Sequence, residues 1–165
     1  MTFIESETIE LKSSVVADLC KEVIAFANTK GGTLYIGVED NGTVIGVDSA
    51  DRVTLQINNM VRDSIKPDIT MFVHYETQVI DDKQIIAVTV QEGTDRPYYL
   101  GSKGLKPSGV YVRNGTSTDP TSDTAIRKMI KETDGDSFES MRSLEQNLSF
   151  EAAKKQFEKQ NIPFD

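Results

Sequence analysis

Apolar and polar residues alternate over Thr8-Ile9-Glu10-Leu11-Lys12. That period of two predicts a short strand with Ile9 and Leu11 inward and Glu10 and Lys12 outward. Over residues 14–29 the period changes. Val16, Leu19, Cys20, Val23, Ile24 and Ala27 recur at spacings of three and four, the single apolar stripe of a helix. Ser13 or Ser14 is placed to cap its start. Asn28 and the pair Gly31-Gly32 are placed to turn the chain at its end, because Asn and Gly tolerate the left-handed conformation. Two β-rich runs, 33–38 and 44–47, flank Asp40-Asn41-Gly42. An Asn-Gly pair in that setting predicts a tight hairpin with both Asn41 and Gly42 at positive φ.

Residues 51–65 read as a second helix with Val53, Ile57, Met60, Val61 and Ile65 inward, stopped by Pro67. Residues 70–80 and 84–90 predict a second hairpin turning at Asp81-Asp82-Lys83, with Ile86, Val88 and Val90 on one face. A glycine-rich loop over 91–109 leads into a short strand at 109–113 and a polar turn at 114–118. A third helix is expected from Asp119 to Glu132, broken at Thr133-Asp134-Gly135-Asp136. Phe150, Ala153 and Phe157 predict a last amphipathic helix over 149–161. Strands and helices mix without regular βαβ alternation. The expected class is therefore α+β: a mixed, mainly antiparallel sheet built from hairpins, two to three packed helices and a C-terminal helical extension. The domain is expected over 1–132, with a polar linker and helical extension over 133–165.

Composition narrows the chemistry. At 165 residues the chain has the size of one domain, with 38% hydrophobic and 27% charged residues. One Cys (Cys20) and one His (His74) exclude an internal disulfide and a Cys/His zinc site. Cys20 lies on the apolar stripe and reads as core, and His74 reads as a strand residue. No charged-then-apolar leader opens the chain and no apolar run reaches about 18 residues, so the expectation is a cytoplasmic protein with no membrane partner. Net charge is −8, which argues against bulk attraction to nucleic acid. The charge is uneven, however. From Arg96 to Lys131 seven basic residues stand against two acidic ones, with Tyr98, Tyr99 and Tyr111 among them. Long cations interleaved with aromatics suit phosphate contact and base stacking, so Arg96, Tyr98, Lys103, Lys106, Tyr111, Arg113, Arg127 and Lys128 are candidate nucleic-acid contacts. A solvated loop and an ordinary charged helix would show the same composition.

Two further groupings bear on catalysis. Glu5, Glu7 and Glu10 crowd the first strand and Asp40 stands at the hairpin tip. Carboxylates from separate elements can hold Mg²⁺ or Mn²⁺, although an exposed acidic edge has the same pattern. Lys30-Gly31-Gly32-Thr33 invites a phosphate-loop reading, but the order is helix, glycines, strand. That is the reverse of a P-loop, and it gives no support to ATPase chemistry.

Several runs together resemble one family. The opening 5–12, Glu-Ser-Glu-Thr-Ile-Glu-Leu-Lys, resembles the Glu-x-x-x-x-Glu-Phe-Lys of the Schlafen Alba-like (divergent AAA) domain, with Leu11 where the pattern has Phe. Residues 25–42, Ala-Phe-Ala-Asn-Thr-Lys-Gly-Gly-Thr-Leu-Tyr-Ile-Gly-Val-Glu-Asp-Asn-Gly, are similar to its most specific motif. Arg96-Pro97-Tyr98-Tyr99-Leu100 resembles its Pro-Tyr-Tyr segment, and 109–118 its Gly-x-Tyr-x-Arg-x-Gly signature. The resemblance spans about residues 5–130 in family order. It implies a DNA-binding, transcriptional-regulator class as in bacterial members, with a C-terminal ATPase-like or winged-helix region in the full-length protein. It also implies, by analogy with animal members, a second reading: a metal-dependent endoribonuclease acting on structured RNA such as tRNA. There Glu5, Glu10 and Asp40 would be the catalytic and metal-binding carboxylates, with Mg²⁺ or Mn²⁺ as cofactor, and a homodimer would supply the paired copies. Glu5 and Glu10 are five apart, so they converge only if Glu5 precedes the strand in a turn. A third reading is an oligomerisation or effector-sensing module without nucleic acid.

Overall fold

The computed structural model describes residues 3–134; the expected helix over 149–161 and the end of the break at 133–136 lie outside the described residues. The chain divides into two units, Met1–Met129 and Ile130–Asp165. In chain order the elements are β1 (Ile9–Lys12), α1 (Leu19–Asn28), β2 (Gly32–Ile36), α2 (Ala50–Ser64) and β3 (Ile65–Lys66). A 3₁₀ turn (Thr70–Phe72), β4 (Val73–Ile80), β5 (Lys83–Val90), β6 (Tyr99–Leu100), β7 (Tyr111–Asn114) and β8 (Ser117–Pro120) follow. Residues 123–134 form a further helix, α3. The class is α+β.

The main sheet has the order β1-β2-β5-β4. β1 and β2 are parallel, with Glu10 beside Leu34 and Lys12 beside Ile36. A parallel pair needs a crossover, and α1 supplies it. The other pairs are antiparallel. β4 and β5 match over eight residues without a bulge, from Val73 opposite Val90 to Ile80 opposite Lys83. The turn between them is Asp81-Asp82, with φ of 53° and 63°. That is the primed two-residue geometry whose twist suits a hairpin. Two short ribbons, β3–β6 and β7–β8, complete the unit.

The two faces of the sheet bury different cores. Leu34, Ile36, Ile86, Val88 and Val90 meet α1 and α2 through Val23, Ile24, Phe26, Ile57 and Val61. On the opposite face Leu11, Val38, Ile85 and Phe3 form a smaller cluster. Ile9 and Leu11 belong to this second face. Glu10 and Lys12 therefore point under the helix layer, where the alternation alone had placed solvent.

Several boundaries differ from the sequence reading, each for a local reason. α1 begins at Leu19, not 14, and Asp18 rather than Ser13 or Ser14 precedes it. Val16 lies outside the helix and is 41% exposed. Nine of the ten α1 residues are buried, so this is a central helix and not a one-striped surface helix. Asn28 closes the helix without turning the chain; Gly31, at φ 80°, does that. Gly32 is already the first residue of β2, and a Cβ there would meet the Phe26 ring at 2.5 Å. At the Asn-Gly turn only Gly42 has positive φ, 92°. Asn41 instead accepts a hydrogen bond on its side-chain oxygen from the Thr43 N–H, which fixes the turn locally. Ile65 has left α2 for β3, and the third helix starts four residues later than expected because 117–120 pair as β8.

Candidate nucleic-acid interface and the buried ion cluster

Arg113 sits at the centre of a polar cluster between β1, α1 and the β7–β8 ribbon. Its side chain is 1% exposed. Nη1 donates to Glu10 Oε1 at 2.8 Å, to Thr118 Oγ1 at 3.1 Å and to Glu22 Oε1 at 3.4 Å. Nη2 donates to the carbonyls of Ser6 and Ile9 at 2.8 and 3.1 Å. The guanidinium carbon lies 5.1 Å from the Phe26 ring centroid, a cation–π contact. Lys12 adds a second cation, 3.2 Å from Glu22 and 3.5 Å from Glu10. Two carboxylates and two cations thus share one site. Burial pushes the Glu10 carboxyl up against the pull of Arg113, and Glu5 adds to the rise. Burial also weakens the Lys12 ammonium, but Glu22 and Glu10 outweigh it and its pKa is raised.

The residues expected to face nucleic acid fall into two sets. Arg113, Tyr98 and Tyr111 are interior. Tyr98 is 0% and Tyr111 8% exposed, so neither ring is open for a base to stack on. The Tyr98 hydroxyl accepts from the Asp95 N–H, and the Tyr111 hydroxyl donates to the Ser108 carbonyl. Their aromatic bodies and Arg113's planar fork fill the space between α1 and the later ribbons, which is why these residue types occur there. Lys103, Lys106, Arg127 and Lys128 are exposed. Arg96 is half-buried and pairs with Glu92 at 3.0 Å. Lys103 and Lys106 ride a loop closed by its own backbone bonds. The N–H groups of Lys103 and Gly104 donate to the Leu100 carbonyl, and those of Gly109 and Val110 to the Lys106 carbonyl.

The three carboxylates implied as metal ligands are distributed differently. Glu5 precedes a turn, as convergence with Glu10 required, and Glu5 Oε2 accepts from the Leu11 N–H at 3.3 Å. Glu10 is engaged by Arg113 and Lys12. Asp40 lies in a shallow depression with Ser13, Glu39 and Asn41. The segment carrying it packs through Val38 and Val44 on the smaller core, the face away from Glu10. Among the described residues no three of His, Cys, Asp and Glu are grouped to hold a metal ion. As placed among the described residues, Glu5, Glu10 and Asp40 do not form one grouped donor set for Mg²⁺ or Mn²⁺.

A profile of the Schlafen, AlbA_2 family matches residues 5–122. The chain belongs to the Schlafen AlbA_2 family. That membership points to a function related to nucleic acid. The fold is similar to the solution structure of the N-terminal domain of a protein from Nitrosomonas europaea described as related to the ATP-dependent DNA helicase RecG. The identity is 30% over 68% of this chain and 82% of that one, with a TM-score of 0.54. It is also similar in fold to the DIP2311 protein from Corynebacterium diphtheriae, at 20% identity and a TM-score of 0.52; 70% of this chain matches only 22% of that one. No curated protein matches.

In this Schlafen AlbA_2 domain the four motif segments are bonded to one another. Glu10 of the opening run meets Arg113 of the Gly-x-Tyr-x-Arg run. Asn28 of the longest motif donates to the carbonyls of Tyr98 and Tyr111 at 3.1 and 2.9 Å and accepts from the Tyr98 N–H at 2.8 Å. One amide thereby ties the end of α1 to two distant segments. Glu22, Lys12 and Thr118 were not anticipated as members of the ion cluster. Glu22 carried a weak signal: it sits three residues after Leu19 and four before Phe26, a charge flanking the apolar stripe on the side that Phe26 extends. Thr118 carried none.

Proposed function

We propose that this domain binds DNA as a regulatory module, contacting phosphates through Lys103, Lys106, Arg127 and Lys128. The observation that carries the reading is their availability. Among the described residues none of the four has an acidic partner within salt-bridge distance, although the chain as a whole carries −8. Two other cations of the basic stretch behave differently: Arg113 is consumed by Glu10 and Glu22, and Arg96 is engaged by Glu92; Lys131 is exposed like the four. An acidic body that presents these cations unpaired in the basic stretch favours modest, salt-sensitive affinity. The relation of the Nitrosomonas europaea protein to a DNA helicase agrees with DNA as the polymer.

The test is the salt dependence of binding to a labelled duplex. Each phosphate contact contributes about −0.9 to the slope of log K against log salt. Lys103→Ala with Lys106→Ala should make the slope about 2 units shallower and weaken binding across sequences alike. An unchanged slope in that double variant overturns the assignment.

A further inference from the structure

The two edges of the main sheet are treated differently. At β1 the carbonyls of Ser6 and Ile9 receive Arg113, and the Ser6–Ile9 turn covers the strand start. At β4 no described strand pairs with the outer side. Natural edges are blunted by Pro, Lys, a bulge or a covering element. β4, Val-His-Tyr-Glu-Thr-Gln-Val-Ile, has neither Pro nor Lys and pairs with β5 without a bulge. Beside it a groove of about 510 Å³ separates the strand from α2, lined by Asp51, Thr54, Leu55, Val73, Tyr75 and Thr77. Leu55 is 60% and Val79 66% exposed. An eight-residue open edge with apolar side chains next to it is a template for another strand.

We propose that β4 pairs antiparallel with β4 of a second copy across a two-fold axis at Thr77. The proposal goes beyond the DNA-binding reading and does not depend on it. A two-fold interface must be self-complementary, residue i meeting j while j meets i. With the axis at Thr77, Glu76 faces the partner's Gln78, Tyr75 faces the partner's Val79, and His74 faces the partner's Ile80. No like charges stand directly opposite, and His74 lies diagonal to the partner's Asp82. The two Glu76 carboxylates are diagonal to each other, where both stay solvated. An axis at Glu76 would set that carboxylate against itself, which is unfavourable. An axis at Gln78 would oppose Tyr75 and His74 to Asp81 and Asp82, whose positive φ ends the strand. An axis normal to the sheet keeps both helix layers on one side. The partner's Val79 then covers Tyr75 at the mouth of the groove beside Leu55. That reciprocal match is specific to the chain's own edge, which is why a second copy is the occupant.

Sedimentation velocity on the intact chain should show a species of twice the chain mass that dissociates on dilution. Val79→Lys, at an exposed position, should sediment as monomer with its circular dichroism unchanged. Thr77→Cys should form a disulfide-linked dimer on mild oxidation, because directly opposed residues lie within bridging distance. Glu76→Cys should not, since its equivalent lies about 8 Å away on the diagonal. The native Cys20 is buried and does not compete. A wild-type protein that stays monomeric at every concentration overturns the proposal. So does a dimer that survives Val79→Lys, or a cross-link through Glu76→Cys in place of Thr77→Cys.

Discussion

Replacing Arg113 by Met keeps most of the side chain's volume and removes its charge and all five donated hydrogen bonds. Glu10 and Glu22 would then share Lys12 alone, each about 10% exposed. Removing one partner of a buried ion pair costs about 3–5 kcal/mol, because the remaining charge stays desolvated. In a domain of this size that lowers Tm by roughly 6–20 °C. The assay is urea or thermal unfolding followed by circular dichroism, paired with duplex binding well below the lowered Tm. The structure predicts a large stability loss and an unchanged salt slope. Adding Glu10→Gln to Arg113→Met should recover part of the loss, since the stranded carboxylate is then neutral. If Arg113→Met leaves stability within about 0.5 kcal/mol of the parent, as an ordinary surface substitution would, and makes the salt slope shallower, Arg113 contacts phosphate and the buried cluster is wrong.

Asn28→Ala strands three buried backbone groups of Tyr98 and Tyr111, at about 1–3 kcal/mol each before relaxation; chemical denaturation should show a loss of about 3 kcal/mol or more, and a change under 1 kcal/mol would mean that water replaces the amide. Tyr75 has a buried hydroxyl with no partner among the described residues and a pKa pushed up to about 12 by burial, with Cys20 adding to it. Tyr75→Phe should therefore be neutral or stabilising near pH 7. Above pH 10 the unfolded phenol ionises first, the native state holds more protons, and stability falls as pH rises toward 12. Tyr75→Phe should flatten that alkaline fall in a pH series of unfolding curves, and an identical slope in both proteins would contradict the burial. Gly32→Ala should destabilise the domain, because the new Cβ meets Phe26 in the tightly packed centre and the Thr8 carbonyl at 2.8 Å; overpacking of this kind costs about 1–3 kcal/mol, and thermal unfolding reads it directly.

The local elements were legible where the determining interactions are local. The β4–β5 hairpin follows from two alternating runs with a turn at Asp81-Asp82-Lys83, although the turn itself is Asp81-Asp82 alone and Lys83 already pairs with Ile80. α2 ends where Pro67 requires and packs through Ile57 and Val61. The basic stretch at 96–131 was also visible as a charge count. The tertiary structure decided which side chains of that stretch are exposed. Tyr98, Tyr111 and Arg113 look like ligand contacts by residue type alone. They are interior because the chain returns over 98–120 to cover the outer side of α1, which no period within α1 announces. The same return explains Glu10: its place in the alternation is correct, but the outward face of β1 is roofed by α1 and β7. A sequence period states which side chains share a face. Whether water or another segment lies on that face depends on contacts 70 to 107 positions away along the chain, such as Asn28 with Tyr98 and Arg113 with Ser6.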